Sequence, residues 1–523
     1  MMSFSAGVTS FGWGVKHRLQ RSSVLGLVLL GMGIIPLLLF FFSIQKAVFL
    51  IALSVGVGTV LVLPIQKTLF VFYFYLVFDG FIKLFSGYHP LAHVGQDIVL
   101  LIIFWRAMLD RETGGPKKLM QIPLGGFVLI FSTWVLLQYL NPFGLGLLPS
   151  IAGSKIYFAS IAIYIVSYSY LDESARHKIM LWIVTLAAFE CVLATMEYLF
   201  FPEYLYNLSS DGAISFSNVS KDRFIGAFYR PIGTTSLPGA PSVWVSLAAP
   251  FATYILSSPE WSRFNKIIAT VFFVFAIPTL IFCQMRINVI LTLLGVIAVA
   301  LFPRSGFTSR LGVASAASVA AITLVFFIVN KMADNIGISL SDSPMSLTSS
   351  SGDNSSGDES AGKLMQLQGR MLTLGEKSTF TTARGGAIDA MVRLGEQMPF
   401  GIGLSRVSAA SSPWLDIIKK DPHFGVQWTF SDNLFRAIFT ELGIFGLMSW
   451  ILMVGAIVLT LFKSALLISK FDSAFLVWTC ATGALTLFSG GLDSEGVLYA
   501  PVSSLIWLMF GIGMREVKNV QQI

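Results

Sequence analysis

Apolar stretches long enough to cross a lipid bilayer recur along almost the whole of this chain. Nothing else in the sequence limits its fold so severely. About 17–25 residues cover the roughly 30 Å of hydrocarbon in a membrane. By that measure about fourteen spans emerge, near 24–42, 47–64, 68–87, 95–109, 122–140, 154–171, 178–201, 240–257, 266–283, 285–302, 311–331, 433–462, 473–489 and 498–514. Charge is correspondingly scarce. The 523 residues are 55% hydrophobic and 12% charged, against about 25% charged in a soluble protein. So few charges could not clothe the several soluble domains that this length would otherwise allow. The expectation is an all-α polytopic membrane protein.

Topology follows from where the cations lie. Cytoplasmic loops collect Lys and Arg, so the N-terminus with Lys16, Arg18 and Arg21 is placed inside. The inner connections then carry Lys67; Arg111, Lys117 and Lys118; Arg176 and Lys178; Arg263 and Lys266; Arg304 and Arg310; Lys463 and Lys470; Arg515 and Lys518. The short outer connections 88–94, 141–153 and 490–497 carry no Lys or Arg, and Lys46 is a lone exception. Both termini are expected to be cytoplasmic. The net charge of +7 reports this asymmetry, and no basic block suggests nucleic acid. The stretch 24–42 is too long for a secretory signal and no small-residue cleavage site follows, so it reads as a retained span. Cys191, Cys283 and Cys480 all lie in apolar runs, which argues against a disulfide framework or a cysteine metal site.

The chain therefore divides into a cytoplasmic N-terminus at 1–23, N-terminal spans over 24–201, an outer loop at 202–239 and central spans over 240–331. A large outer loop at 332–432, C-terminal spans over 433–514 and a cytoplasmic tail at 515–523 complete it. The first part of the large loop, Ser341 to Gly362, is rich in Ser, Gly and Asp and cannot bury enough apolar surface to order itself. Its later part carries short amphipathic helices. Ile388, Met391 and Val392 fall at i, i+3 and i+4, and Ser412-Pro413-Trp414 reads as an N-cap followed by Pro at the first helical position.

Cations on the outer side are rare, so each is a candidate. Arg230 precedes a Pro-Ile-Gly turn, Arg286 opens the span 285–302, and Arg384 opens the amphipathic stretch of the large loop. Guanidinium groups hold phosphate oxygens in a two-pronged fork and stay ionised when partly buried. Three of them converging would suit a diphosphate. Snorkelling to headgroups or pairing with an acid is the bland reading of each. Gly401 and Gly403, in Pro399-Phe-Gly-Ile-Gly403, suit a tight turn or a close backbone approach. Asp432 and Asn433 open the span 433–462. Asp432 reads either as a cap paired with Arg436 at i+4 or as a base or orienter of a sugar hydroxyl. His423 is its rival, since a salt-bridged Asp is a weak base. Glu441, two to three turns below Asp432, would face the protein interior.

The other intramembrane charges say less. Asp79 and Lys83, at i and i+4, can neutralise each other. Glu190 and Glu197 share a helix face, as a proton or ion path or as a hydrogen-bonded structural pair. His93 and Asp97 lie one turn apart at an outer helix end. Walker, zincin and nucleophile-elbow motifs are absent, and no Asp-x-Asp-like pair on an outer loop offers a metal site.

In order and side, these motifs resemble the O-antigen ligase and polymerase superfamily of bacterial membrane glycosyltransferases. They are Arg230 to Gly233, Arg286, the Arg384 stretch running into Pro399–Gly403, and Asp432-Asn433 leading to Glu441-Leu-Gly-Ile-Phe-Gly446. The resemblance covers about residues 220–450. It implies a GT-C-like helical fold in the cytoplasmic (inner) membrane with its active site on the periplasmic face. It implies a donor glycan on undecaprenyl diphosphate, held by Arg286, Arg384 and Arg230, with Asn433, Glu441, Gly401 and Gly403 also contributing to substrate binding. Asp432 or His423 would be the base or orienter, with no metal or cofactor. Membrane lipid surrounds such enzymes, and a chain-length regulator and a flippase of the same pathway would be partners. Ligases carry His-Asn where this chain has Asp432-Asn433, which favours a polymerase joining lipid-linked repeats with inversion. A ligase acting on a separate acceptor is the near alternative, and a glycan transporter or flippase the distant one.

Overall fold

The structure, a computed structural model, describes residues 58–85, 90–110, 122–200, 231–235, 239–283, 285–302, 397–406, 434–489 and 501–521, with positions 56, 414, 417, 418 and 420 beside them. The side chains at 83–85, 90–94 and 286 fall outside that description. The described residues form helices and turns, without a strand. In chain order the helices are α1 (Ile65–Phe85), α2 (Pro90–Leu109), α3 (Gly125–Leu137), α4 (Leu147–Tyr170), α5 (Glu173–Phe200), α6 (Pro241–Ser257), α7 (Arg263–Cys283), α8 (Arg286–Ala300), α9 (Leu434–Leu467), α10 (Phe471–Ser489) and α11 (Val502–Gln521).

Each of these helices coincides with a stretch expected from apolar length. Six of them (α1, α4, α5, α7, α9 and α10) are long and apolar enough to cross a membrane among the described residues. Among the described residues the protein is all-helical, and its long apolar helices mark it as membrane-embedded. The expected spans 24–42 and 311–331, most of 47–64, and all but residues 397 and 414 of the short loop helices near 384–397 and 412–414 lie outside the described residues. Some boundaries differ from those expected. The helix expected from 154 begins at Leu147 and carries Lys155 within it. That lysine is accommodated because Asp97 of α2 takes its ammonium at 2.7 Å. Asp97 thus bonds across the bundle.

α5 packs against α6 and α7, and α11 against α4 and α10. Without water between them, membrane helices gain most from close backbone approach, which small residues allow. Pro250 inside α6 illustrates this. A Cβ on Gly295 of α8, or on Gly483 of α10, would stand 3.2 Å from the Pro250 ring. At the other end of the bundle a buried ion pair joins α5 to α11, with Arg176 donating to Glu516 at 2.5 Å. Losing either partner of such a pair leaves a buried charge and costs about 3–5 kcal/mol.

The turn between α4 and α5 is capped locally. Asp172 Oδ1 accepts the Ala175 N–H at 2.7 Å, and Gln66 of α1 donates to Asp172 Oδ2 at 3.1 Å. The Ala175 bond, with that of Gln66, holds the Asp172 carboxyl below its ordinary value against the opposing effect of burial. A lowered carboxyl contributes stability above the unfolded-state value of about 3.9 and loses it as pH falls through the folded value. Asp172→Ala is therefore expected to cost about 1 kcal/mol at neutral pH, the usual worth of an N-cap. The deficit should close in acid. Thermal unfolding of the detergent-solubilised protein at neutral pH and at pH below about 3 measures both.

Candidate functional site

A helix is broken at one end of the bundle. Inside α9, Gly443 adopts φ 69° and ψ −169°, a region that only glycine occupies readily. The axis turns sharply there. The rings of Phe435 and Trp450 meet at 6.0 Å, whereas fifteen residues of straight helix span about 22 Å. Such a break frees carbonyl and amide groups that hydrocarbon cannot satisfy, so non-helical backbone at this depth must be buried in protein or line a cavity.

The turn Pro399–Gly403 supplies the missing partners. Ile402 N–H donates to Thr440 O at 2.8 Å, Gly403 N–H to Glu441 O at 3.2 Å, and Ile444 N–H to Pro399 O at 2.9 Å. The indole N–H of Trp134 in α3 completes the set, donating to Leu442 O at 2.7 Å. Glycine is required on both sides of this contact. Gly401 has φ 81° and Gly403 φ 92°. A Cβ on Gly401 would stand 2.5 Å from Gly443 N, and one on Gly443 would collide with the Pro399 carbonyl oxygen.

The outer face of the turn is held by the segment joining α3 to α4. Gln138 Nε2 donates to Phe400 O at 3.0 Å and Asn141 Nδ2 to Gly401 O at 3.1 Å. Arg406, almost fully buried, donates from Nε to Ile402 O at 3.0 Å and from Nη2 to Phe143 O. Ser405 Oγ donates to Pro149 O at 2.6 Å. Behind the break, Glu441 is buried and Oε2 accepts the Tyr157 hydroxyl of α4 at 2.8 Å.

A second segment of loop enters the bundle at 231–235. Glu197 Oε2 accepts the N–H of Gly233 at 2.7 Å and that of Ile232 at 3.1 Å. Glu190 accepts the Thr234 N–H at 3.1 Å through both oxygens. Thr234 then intrudes into α1. Its hydroxyl stands 2.6 Å from Val77 O, while Phe81 N–H donates to Thr234 O at 3.0 Å. These two bonds replace the Phe81-to-Val77 step of the helical ladder. The same segment continues to the start of α8. A Cβ on Gly239 would stand 2.9 Å from Cys283 O, and Asn288 Nδ2 donates to Ser242 Oγ at 2.7 Å.

Of the residues singled out in the sequence, the structure brings Gly401, Gly403 and Glu441 together at the broken helix. Arg286 opens α8 as expected, beside the segment that follows Arg230. Arg230, Arg384, His423, Asp432 and Asn433 lie outside the described residues, as do the side chain of Arg286, the loop helix after Arg384, and the side chains of Lys83 and His93. Glu190 and Glu197 hold a loop by its amide groups, as the structural alternative required. Three members of this region were not anticipated. Tyr157 carries no signal in an apolar helix, Lys155 lies within an expected span, and Arg406 lies three residues past Gly403 in the loop that the charge pattern assigns to the outer side, where any arginine is a signal. No protein-family model matches the chain, and neither does any curated protein.

The two broken ladders give two tests. Gly443→Ala is expected to destabilise by about 3 kcal/mol or more, from backbone strain together with collision. Gly455→Ala, with nothing within 4 Å of its added Cβ, should be neutral or stabilise by about 0.5–1 kcal/mol. Thr234→Val keeps the shape but removes the hydroxyl that lies between Val77 O at 2.6 Å and Glu190 Oε2 at 2.5 Å, leaving a buried acceptor without its donor at a cost of about 1–3 kcal/mol. Unfolding curves of the purified variants compare all three.

Proposed function

We propose that the protein is a polysaccharide polymerase of the O-antigen or exopolysaccharide type. In this reading about fourteen spans form a GT-C-like bundle in a bacterial inner membrane, with the broken helix on its periplasmic side. The observation that carries it is the meeting of Gly401, Gly403 and Glu441. The family resemblance picked out these residues from segments forty residues apart, and they form one contact at a discontinuous helix. Non-helical backbone within a membrane bundle is tolerated where it is buried in protein or lines a cavity, so a helix break braced by loop is a place where a site can be built. The start of α8 beside the 231–235 segment adds Arg286 at a helix N-terminus, a place favourable to an anion.

The chemistry needs no metal. The acceptor hydroxyl oxygen attacks the anomeric carbon of the donor from the face opposite the diphosphate. The bond from that carbon to the diphosphate oxygen breaks, and undecaprenyl diphosphate leaves with the electron pair. The hydroxyl proton passes to Asp432 or His423. The charge that develops on the diphosphate is met by Arg286, Arg384 and Arg230, fixed cations that need no reorganisation during the reaction. Asp432 or His423 contributes the proton transfer, typically about 10²–10⁴-fold. A transporter reading would need Glu190 and Glu197 as a coupling path. Both are buried and accept loop amide groups, which supports a structural role for them.

Purified protein in lipid nanodiscs, given undecaprenyl-diphosphate-linked repeats alone, should build a ladder of longer products. Arg286→Ala should slow it by about 10²-fold or more while the protein stays folded. Products that appear only with a second acceptor would make the protein a ligase. No ladder, or an unchanged one in the Arg286 variant, would overturn the diphosphate reading.

A further inference from the structure

α3 is too short for the membrane it sits in. Its 13 residues rise about 20 Å, against about 30 Å of hydrocarbon. The chain leaves it through a 3-10 turn, Gln138–Leu140, and then a connection to α4 that the charge pattern assigns to water. The surface there does not suit water: Leu140 is 81% exposed and Leu148 68%. We propose that the corner built from 138–148 and Pro399–Gly403 is sunk in one leaflet of the bilayer, with lipid acyl chains covering its apolar ridge. The inference does not depend on the polymerase reading.

Depth is set by α4. A Cβ on its Gly153 would stand 2.5 Å from Ser405 N, so the end of the turn touches α4 six residues inside its start at Leu147. The Tyr139 hydroxyl pairs with Ser154 Oγ at 2.7 Å, which brings the 3-10 turn to the same region. Six residues of helix are about 9 Å. The whole of α4, 24 residues, is about 36 Å long. Centred on about 30 Å of hydrocarbon, it leaves about 3 Å beyond each face. Gly153 then lies about 6 Å below the edge.

The polar groups of the corner turn inward. Asn141 N–H donates to Gln138 O at 3.2 Å and Gly144 N–H to Asn141 O at 2.9 Å. Asn141 Oδ1 accepts the Phe143 N–H at 2.9 Å, and Asn141 Nδ2 donates to Gln138 Oε1 at 2.7 Å as well as to Gly401 O. Arg406 and Ser405 take the carbonyls of Phe143 and Pro149, and Pro142 and Pro149 bring no N–H. Hydrocarbon demands such internal pairing of backbone, and water does not. The first amides of α4, at Leu147 and Leu148, stand at the rim, where headgroups and water satisfy them.

Continuity names the occupant. Ile130, Thr133, Leu137 and Leu140 succeed one another at steps of four and three residues, and all are exposed. The lipid-facing stripe of α3 thus runs into the corner. On the other flank Ile444, Phe445, Met448, Ile451 and Leu452 form the exposed face of α9. Phe400, 58% exposed, stacks on Phe445 with ring centroids 5.7 Å apart. An apolar surface continuous with two lipid-facing helices has lipid as its neighbour, and the break at Gly443 then lies below the headgroups.

Nitroxide labels on single introduced cysteines read this depth in nanodiscs. Leu140→Cys and Phe400→Cys report the corner. Leu129→Cys, on the exposed face of α3, is the hydrocarbon reference, and Glu173→Cys, whose native side chain is 66% exposed, the aqueous one. The native cysteines are buried, and the parent protein controls for their labelling. Collisions are counted with dissolved oxygen, which concentrates in hydrocarbon, and with a polar nickel chelate. Both corner labels should meet oxygen as often as Leu129→Cys does. They should meet the chelate about tenfold less often than Glu173→Cys, or rarer still, because hydrocarbon excludes polar solutes. Chelate collisions at the Glu173→Cys level would make the corner an aqueous loop. Few collisions with either reagent would mean that protein, from this chain or a second copy, covers it. Either result overturns the proposal. If Leu140→Cys fails to fold, Phe400→Cys decides.

Discussion

A backbone amide or carbonyl inside a membrane protein has no water to turn to, and that constraint organises the structure around Gly443. A continuous helix would satisfy itself. α9 does not, so Thr440, Glu441 and Leu442 expose carbonyls and Ile444 exposes an amide. Pro399–Gly403 and the Trp134 indole answer each of them. The turn is therefore part of the transmembrane hydrogen-bond ladder, although in sequence it belongs to a large loop. Gly401 and Gly443 are fixed by the approach of the turn to α9, closer than a Cβ allows, and Gly403 by the approach of the turn to Gly144 in the segment joining α3 to α4.

The 231–235 segment obeys the same constraint by another route. There the invader breaks a helix that would otherwise be regular, substituting Thr234 for one step of α1, and two buried glutamates receive the amide groups of the invading loop. A glutamate with both oxygens on backbone N–H groups has a structural duty, which is why Glu190 and Glu197 support the placement of 231–235 better than they support ion movement. Both invading segments come from stretches assigned to the outer side by their charge pattern. The polymerase proposal draws on that coincidence: an active site assembled at one end of a helical bundle from pieces of loop locked into helices.

The helices themselves were legible because apolar length is a property of one segment at a time. Even the short stretch 95–109, with Asp97 and Arg106 in it, stands as the longer helix α2. Glycines at 401 and 403 were legible as a turn, and Glu441 as an inward-facing acid. The break at Gly443 was not. A glycine within Glu-Leu-Gly-Ile-Phe-Gly is tolerated in a membrane helix, and only the arrival of Pro399–Gly403 distinguishes a kink from an ordinary turn of helix. Long-range partners were hidden for the same reason. Asp97 with Lys155, Arg176 with Glu516, and Tyr157 with Glu441 lie 58, 340 and 284 residues apart. No local pattern records such pairings.

The most direct measurement is amide hydrogen exchange over 397–406 in the nanodisc-embedded protein, read by mass spectrometry. If the turn completes the ladder of α9, the N–H groups of Ile402 and Gly403 exchange as slowly as those of α4 and α10. Exchange at the rate of an open loop would mean that the broken helix finds its partners elsewhere, and the proposed site would lose its frame.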